Sequence, residues 1–146
     1  MISHDSDSYE VLLVEDNPDD LRLALHAFNK HNLSNTIQVA RDGAEALDYI
    51  FAKGNFVDRK DRPRLILLDL KLPKIDGLEV LKKLKSDIAT KSIPVVIMTS
   101  SREERDIVES YQLGVNSYIV KPVNFDKFTE AVRQLGVYWL LLNQVP

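Results

Sequence analysis

The sequence predicts an α/β fold, a five-stranded parallel sheet with five helices on both faces, and three observations carry that expectation. Val11-Leu12-Leu13-Val14 and Leu65-Ile66-Leu67-Leu68 are apolar at every position, a pattern that suits strands buried on both faces. Strand candidates alternate along the chain with segments whose apolar residues recur every three or four positions, which implies right-handed βαβ units. Polar residues able to do chemistry stand where the strand candidates end, and open α/β sheets place their ligands at the carboxyl ends of their strands.

A length of 146 residues is about that of one domain and buries a real core. No linker divides the chain. Residues 1–9 read as a disordered lead-in, and 10–146 as one domain with an extended C-terminal helix. The net charge of −3 presents no broad basic surface for nucleic acid or anionic lipid. The absence of cysteine excludes disulfides and thiolate sites and fits a reducing cytoplasm. The polar, acidic N-terminus is no signal peptide, and no apolar run is long enough to span a bilayer.

After the first strand, Glu15-Asp16 leads into Asn17-Pro18-Asp19-Asp20. Asn17 can cap a helix, Pro18 suits its first position, and the two aspartates oppose the dipole. Leu21, Ala24, Leu25 and Phe28 follow at helical spacing. Thr36-Ile37-Gln38-Val39-Ala40 is the second strand. Arg41-Asp42-Gly43 turns into a helix carrying Leu47, Ile50 and Phe51, ended by Gly54. The polar stretch from Gly54 to Arg64 reads as a solvated loop, longer than the usual connection. The third strand ends on Asp69, and Leu70 to Gly77, with Pro73 inside, forms a loop. Leu78, Leu81 and Leu84 mark a third helix. Pro94 opens the fourth strand, Val95 to Thr99. Ser101, with Glu104 three residues on, starts a helix running to Leu113, where Gly114 stops it. Ser117-Tyr118-Ile119-Val120 is the fifth strand, followed by Lys121-Pro122. Asn124 begins a last helix reaching about Leu142. The histidines His4, His26 and His31 form no metal or triad pattern, and His26 and His31 fall on the first helix's polar side.

In a parallel sheet the strand ends share one edge, so Glu15, Asp16, Asp69, Thr99 and Lys121 can meet there. Three close carboxylates repel and call for a cation. An all-oxygen set suits a hard ion such as Mg²⁺. A carboxylate beside Mg²⁺ and a lysine is a nucleophile suited to phosphoryl transfer, where positioning and charge neutralisation supply most of the catalysis.

These motifs resemble the receiver domain of bacterial two-component response regulators, from Val11 to about Leu142. The matching residues are Leu13-Val14-Glu15-Asp16-Asn17, Leu67-Leu68-Asp69-Leu70-Lys71-Leu72-Pro73 with Asp76-Gly77, Met98-Thr99-Ser100, and Tyr118 with Lys121-Pro122. The resemblance implies strand order 2-1-3-4-5 in a flavodoxin-like receiver fold. It implies that Asp69 accepts phosphate from the histidine of a sensor kinase. Glu15, Asp16 and Asp69 would hold Mg²⁺, with the backbone carbonyl of Lys71 completing the protein ligands. Lys121 would grip the phosphoryl group through a loop with a cis peptide to Pro122. Thr99 would report the phosphoryl group and Tyr118 would follow as the aromatic switch. Lys71 and Ser101, each two residues beyond a site residue, would tune phosphate lifetime. Glu15 departs from the commoner aspartate of the acid pair. The long Gly54–Arg64 connection, the stand-alone architecture and Tyr138-Trp139 are similar to small receivers that serve bacterial phytochrome kinases.

With no output domain expected after the last helix, the output would pass through a downstream protein or a phosphotransfer partner. One rival is a flavodoxin-like enzyme or nucleotide binder, disfavoured because Glu15-Asp16-Asn17-Pro18 has no glycine for close phosphate approach. The other is a receiver that no longer takes phosphate, disfavoured by the intact Asp69, Thr99 and Lys121. On the last helix, Phe128, Val132, Leu135, Trp139 and Leu142 make the core stripe, leaving Val137, Leu140 and Leu141 with Tyr138 for a protein contact. A homodimer is expected there, with a kinase-docking face as the alternative.

Overall fold

The computed structural model describes residues 10–30, 36–59, 62–115 and 117–134. They form β1 (Glu10–Val14), α1 (Pro18–Lys30), β2 (Thr36–Ala40), α2 (Gly43–Ile50), β3 (Leu65–Asp69), α3 (Gly77–Ser86), β4 (Val95–Thr99), α4 (Arg102–Ser110), β5 (Tyr118–Val120) and α5 (Phe125–Gln134). The five strands are all parallel, in order β2-β1-β3-β4-β5. Among the described residues no helix is long and apolar enough to cross a membrane.

Why the central strands are apolar throughout is visible in the packing. Odd and even positions face opposite sides of a strand, and here both sides are covered. Val11, Leu13, Leu65, Leu67, Val96 and Met98 pack against Leu21, Ala24 and Phe28 of α1 and Phe128, Ala131 and Val132 of α5. On the other face Leu12, Val14, Ile66, Leu68 and Ile97 meet Ala46, Tyr49 and Ile50 of α2, Val80, Leu81 and Leu84 of α3, and Val108 of α4. Full burial of such side chains stabilises by roughly 1.5–3 kcal/mol each. The Phe28 and Phe128 rings, centroids 4.6 Å apart, tie the first helix to the last.

The expected caps form. Asn17 Oδ1 accepts from the N–H groups of Asp19 and Asp20, and Ser101 Oγ accepts from Glu104. Glu104 returns its carboxylate to the N–H of Ser100, one residue before the cap. Asp42, Asp76 and Asn124 accept in the same way from Glu45, Glu79 and Lys127.

Two helix ends correct the sequence reading. The second helix stops at Ile50, and the first left-handed residue behind it is Ala52 (φ 55°), two residues before Gly54, itself left-handed at φ 55°. The fourth stops at Ser110 rather than Leu113, with Gln112 (φ 52°) left-handed ahead of Gly114. Glycine is the usual left-handed former, yet here Ala52 and Gln112 adopt the conformation with a Cβ, held by helix-end bonds from the N–H groups of Ala52 to Tyr49 and of Gln112 to Glu109.

The start of the Gly54–Arg64 connection is also more than a solvated loop. Gly54–Phe56 is a 3-10 turn, and Phe56 sets its ring edge-on against Tyr49 at 5.0 Å. The Arg59 guanidinium donates to the carbonyls of Tyr49 (2.5 Å) and Ile50 (2.8 Å), closing the open end of α2 with a cation where the dipole is negative. Arg59→Ala is expected to lower stability by about 1–2 kcal/mol in urea unfolding. An unshifted urea midpoint would show the cap contributes nothing.

The expectations for the lead-in (1–9), His4, His31, and the last helix beyond Gln134, including Leu135, Tyr138, Trp139 and Leu142, fall outside the described residues.

Candidate functional site

The register explains the assembly of the site. Val14 pairs with Leu68, Asp69 with Met98 and Thr99 with Val120, so the next residues of each strand emerge side by side. Backbone bonds extend the ladder past the strand ends: Glu15 N–H donates to Ala40 (3.0 Å), Leu70 to Met98 (3.1 Å) and Lys121 to Thr99 (2.8 Å). Glu15, Asp69 and Thr99 are 2 %, 4 % and 0 % exposed. The acids are thus desolvated as well as adjacent.

Lys121 Nζ stands among carboxylates. It donates to Asp69 Oδ2 at 2.9 Å, to Asp20 Oδ2 at 3.1 Å, and to Glu15 at 3.0 Å (Oε1) and 3.2 Å (Oε2). The peptide from Lys121 to Pro122 is cis. Burial, then the hydrogen bond and charge of Asp69, push the Glu15 carboxyl up to about 7 against the opposing pull of Lys121. Burial alone would depress the Lys121 ammonium, but the bonds and charges of Asp69 and Glu15 outweigh it and raise its pKa. Glu15, Asp16 and Asp69 each offer an oxygen within 4.8 Å of the others. This all-oxygen set fits a hard divalent cation.

Thr99 Oγ1 is buried and finds no hydrogen-bond partner among the described residues. A buried hydroxyl left without a partner costs about 1–3 kcal/mol, and functional sites are where such costs persist. Half-buried Tyr118 donates from its hydroxyl to Val115 at 3.4 Å, under the Arg105 guanidinium 4.8 Å from the ring. Burial is the main cause raising its phenol.

Tight contacts hold the loop after Asp69. Lys71 N–H donates to Asp69 Oδ1 (3.3 Å). A Cβ on Gly77 would lie 2.2 Å from the Asp69 carbonyl, and one on Gly43 only 1.7 Å from that of Ile75. Lys74, left-handed at φ 67°, pairs with the α2 cap Asp42 at 3.3 Å. The Lys71 ammonium reaches away from Asp69 to Glu104 on α4 (3.0 Å). Burial would raise the Glu104 carboxyl, but the Ser100 N–H and Lys71 hold it below its usual range.

Glu15, Asp16, Asp69, Thr99 and Lys121, singled out from the sequence, thus stand at one edge of the sheet, with Tyr118 on β5 beside it. Sequence reasoning missed Asp20, read there only as a helix-start acid. Its distance from Lys121, 101 residues along the chain, left no local signal.

The chain matches the model of the response regulator receiver domain over residues 11–133. Among curated proteins it is 39% identical over 141 residues to a probable methanogenesis regulatory protein, FilR2, of Methanothrix harundinacea, covering 96% of this chain and 89% of that protein. It is 38% identical over 136 residues to the response regulator Rcp1 of Synechocystis sp., covering 93% and 92%. Among solved structures, the bacteriophytochrome response regulator AtBRR is similar with a TM-score of 0.89 at 54% identity, covering 94% of this chain and 99% of that one. The phosphorylated cyanobacterial phytochrome response regulator RcpA (TM-score 0.75, 41% identity, 95% and 99% covered) and the Mn²⁺-bound form of Rcp1 (TM-score 0.74, 37% identity, 94% and 99% covered) are also similar.

Proposed function

The chain belongs to the response regulator receiver domain family of two-component signalling, and from that premise we propose that Asp69 is the aspartate that takes the phosphoryl group. One observation carries the reading: Asp69 Oδ2 lies at a rigid, buried strand end, 2.9 Å from the Lys121 ammonium and within a three-acid oxygen cluster.

In the proposed reaction an Asp69 carboxylate oxygen attacks the phosphorus of a phosphohistidine. The phosphorus–nitrogen bond breaks, and the departing imidazole takes up a proton. Glu15, Asp16, Asp69 and the backbone carbonyl of Lys71 would hold Mg²⁺. A divalent cation held there would offset negative charge on the phosphoryl group. Lys121 donates to the same oxygens, and the Thr99 hydroxyl gains in them the partner it lacks. Movement of Thr99 then draws Tyr118 with it, altering the surface of α4 and β5. The chain acts as a phosphoacceptor rather than a turnover enzyme. Incubation with phosphoramidate and Mg²⁺ should add one phosphoryl mass in intact-mass spectrometry, and no gain would overturn the reading.

The metal assignment has its own test. Asp16→Ala should weaken Mg²⁺ binding by roughly tenfold or more. Asp19→Ala should not, because Asp19 is exposed and engaged with Arg22 on α1. Equal effects in a Mg²⁺ titration would replace a metal centre with a diffuse acidic surface.

The similarity to phytochrome response regulators supports a sensor histidine kinase of phytochrome type as the proposed donor, in the cytoplasm. Output would pass to a downstream protein or a phosphotransfer partner, without direct contact with nucleic acid or membrane. The proposed homodimer rests on Val137, Tyr138, Leu140 and Leu141, outside the described residues, and sedimentation equilibrium at tens of micromolar would test it.

A further inference from the structure

We infer that Asp20 is the positioning residue that keeps Lys121 aimed at the phosphorylation site while its other carboxylate partners are engaged. The inference rests on the proposed role of Asp69 and goes beyond it. An ammonium has three protons and accepts nothing. Three side chains surround this one: Glu15 from the end of β1, Asp69 from the end of β3, and Asp20 from the first turn of α1. To reach a phosphoryl oxygen, Lys121 must give up one of these bonds.

The three partners are not equivalent. Glu15 belongs to the oxygen cluster that fits a cation, and Asp69 is the proposed acceptor. Both are claimed by the chemistry. Asp20 stands outside that cluster, on a helix start fixed by Asn17, whose side chain accepts from the Asp20 N–H at 3.0 Å. Its bond to Lys121 survives when Glu15 turns to the metal and Asp69 carries phosphate. Asp20 thus prevents the lysine, only 15 % exposed, from following either partner or swinging to water. A fixed partner of this kind is what preorganised charge stabilisation requires.

Two measurements test this. In the metal-free chain, a double-mutant cycle of Asp20→Ala and Lys121→Met is read by urea unfolding. The folding equilibrium constant should respond to Asp20→Ala about tenfold less favourably with Lys121 present than in Lys121→Met. Coupling below twofold would overturn the inference, since a purely structural aspartate acts alike in both backgrounds. With phosphoramidate at saturating Mg²⁺, Asp20→Ala should slow Asp69 phosphorylation about tenfold. Asp20→Asn, which keeps one acceptor oxygen, should recover part of that rate. The Mg²⁺ concentration at half-maximal rate should shift less than in Asp16→Ala. An unchanged or faster Asp20→Ala would overturn the inference, as would a defect expressed only as weaker Mg²⁺ binding. Should wild type itself gain no phosphate on Asp69, the functional reading fails, and the unfolding cycle still decides the Asp20–Lys121 bond separately.

Discussion

Asp69→Asn is expected to reduce phosphoryl uptake on the order of a thousandfold or more, the scale of removing a nucleophile. The amide keeps the carboxylate's shape at a position 4 % exposed, so the strand end and the ladder bond from Leu70 to Met98 are preserved. What is lost is the anionic oxygen that attacks phosphorus. The neighbouring carboxylates of Glu15 and Asp16 offer no replacement, because as proposed they turn to the cation. Intact-mass spectra over time with phosphoramidate and Mg²⁺ make the comparison. A variant phosphorylated as fast as wild type would show the acceptor lies elsewhere.

Thr99→Val should separate stability from signalling. Oγ1 is fully buried and unpartnered among the described residues, so a methyl of nearly the same shape removes an unsatisfied group. The resting chain should gain about 1 kcal/mol in urea unfolding. The same change removes the donor proposed to report phosphate. Beryllofluoride, a phosphoryl mimic, should then shift the amide resonances of residues 102–120 far less than in wild type, while Asp69 stays phosphorylatable. An undiminished shift pattern would sink the role assigned to Thr99. A loss of stability would mean that the hydroxyl has a partner in solution.

Both predictions concern residues that stood out in the sequence for one reason. Each is a polar group directly after a run of apolar residues, and a buried parallel strand tolerates such a group only at its end. The topology then carries those ends to a common edge. Helix starts were legible for a similar local reason, since Asn17, Asp42, Asp76, Ser101 and Asn124 all use their own side chains within three residues. Helix ends at Ile50 and Ser110 were not, because the first left-handed residues behind them are Ala52 and Gln112, while Gly54 and Gly114 follow two residues later.

The alternation of strands and helices, the buried faces, and the acids, hydroxyl and lysine at the strand ends are all legible in the order of the residues. Those properties depend on residues a few positions apart, where hydrophobic periodicity and capping act. The partner of each long charged side chain was settled by packing. Asp20 meets Lys121 rather than merely facing the helix dipole, Lys71 turns to Glu104 on α4, and Arg59 closes α2 instead of floating in a loop. Long charged side chains carry no pattern that names a partner. Their pairing is set by which backbones the packed sheet brings within a few ångströms, and by how far burial strengthens one charge pair over another.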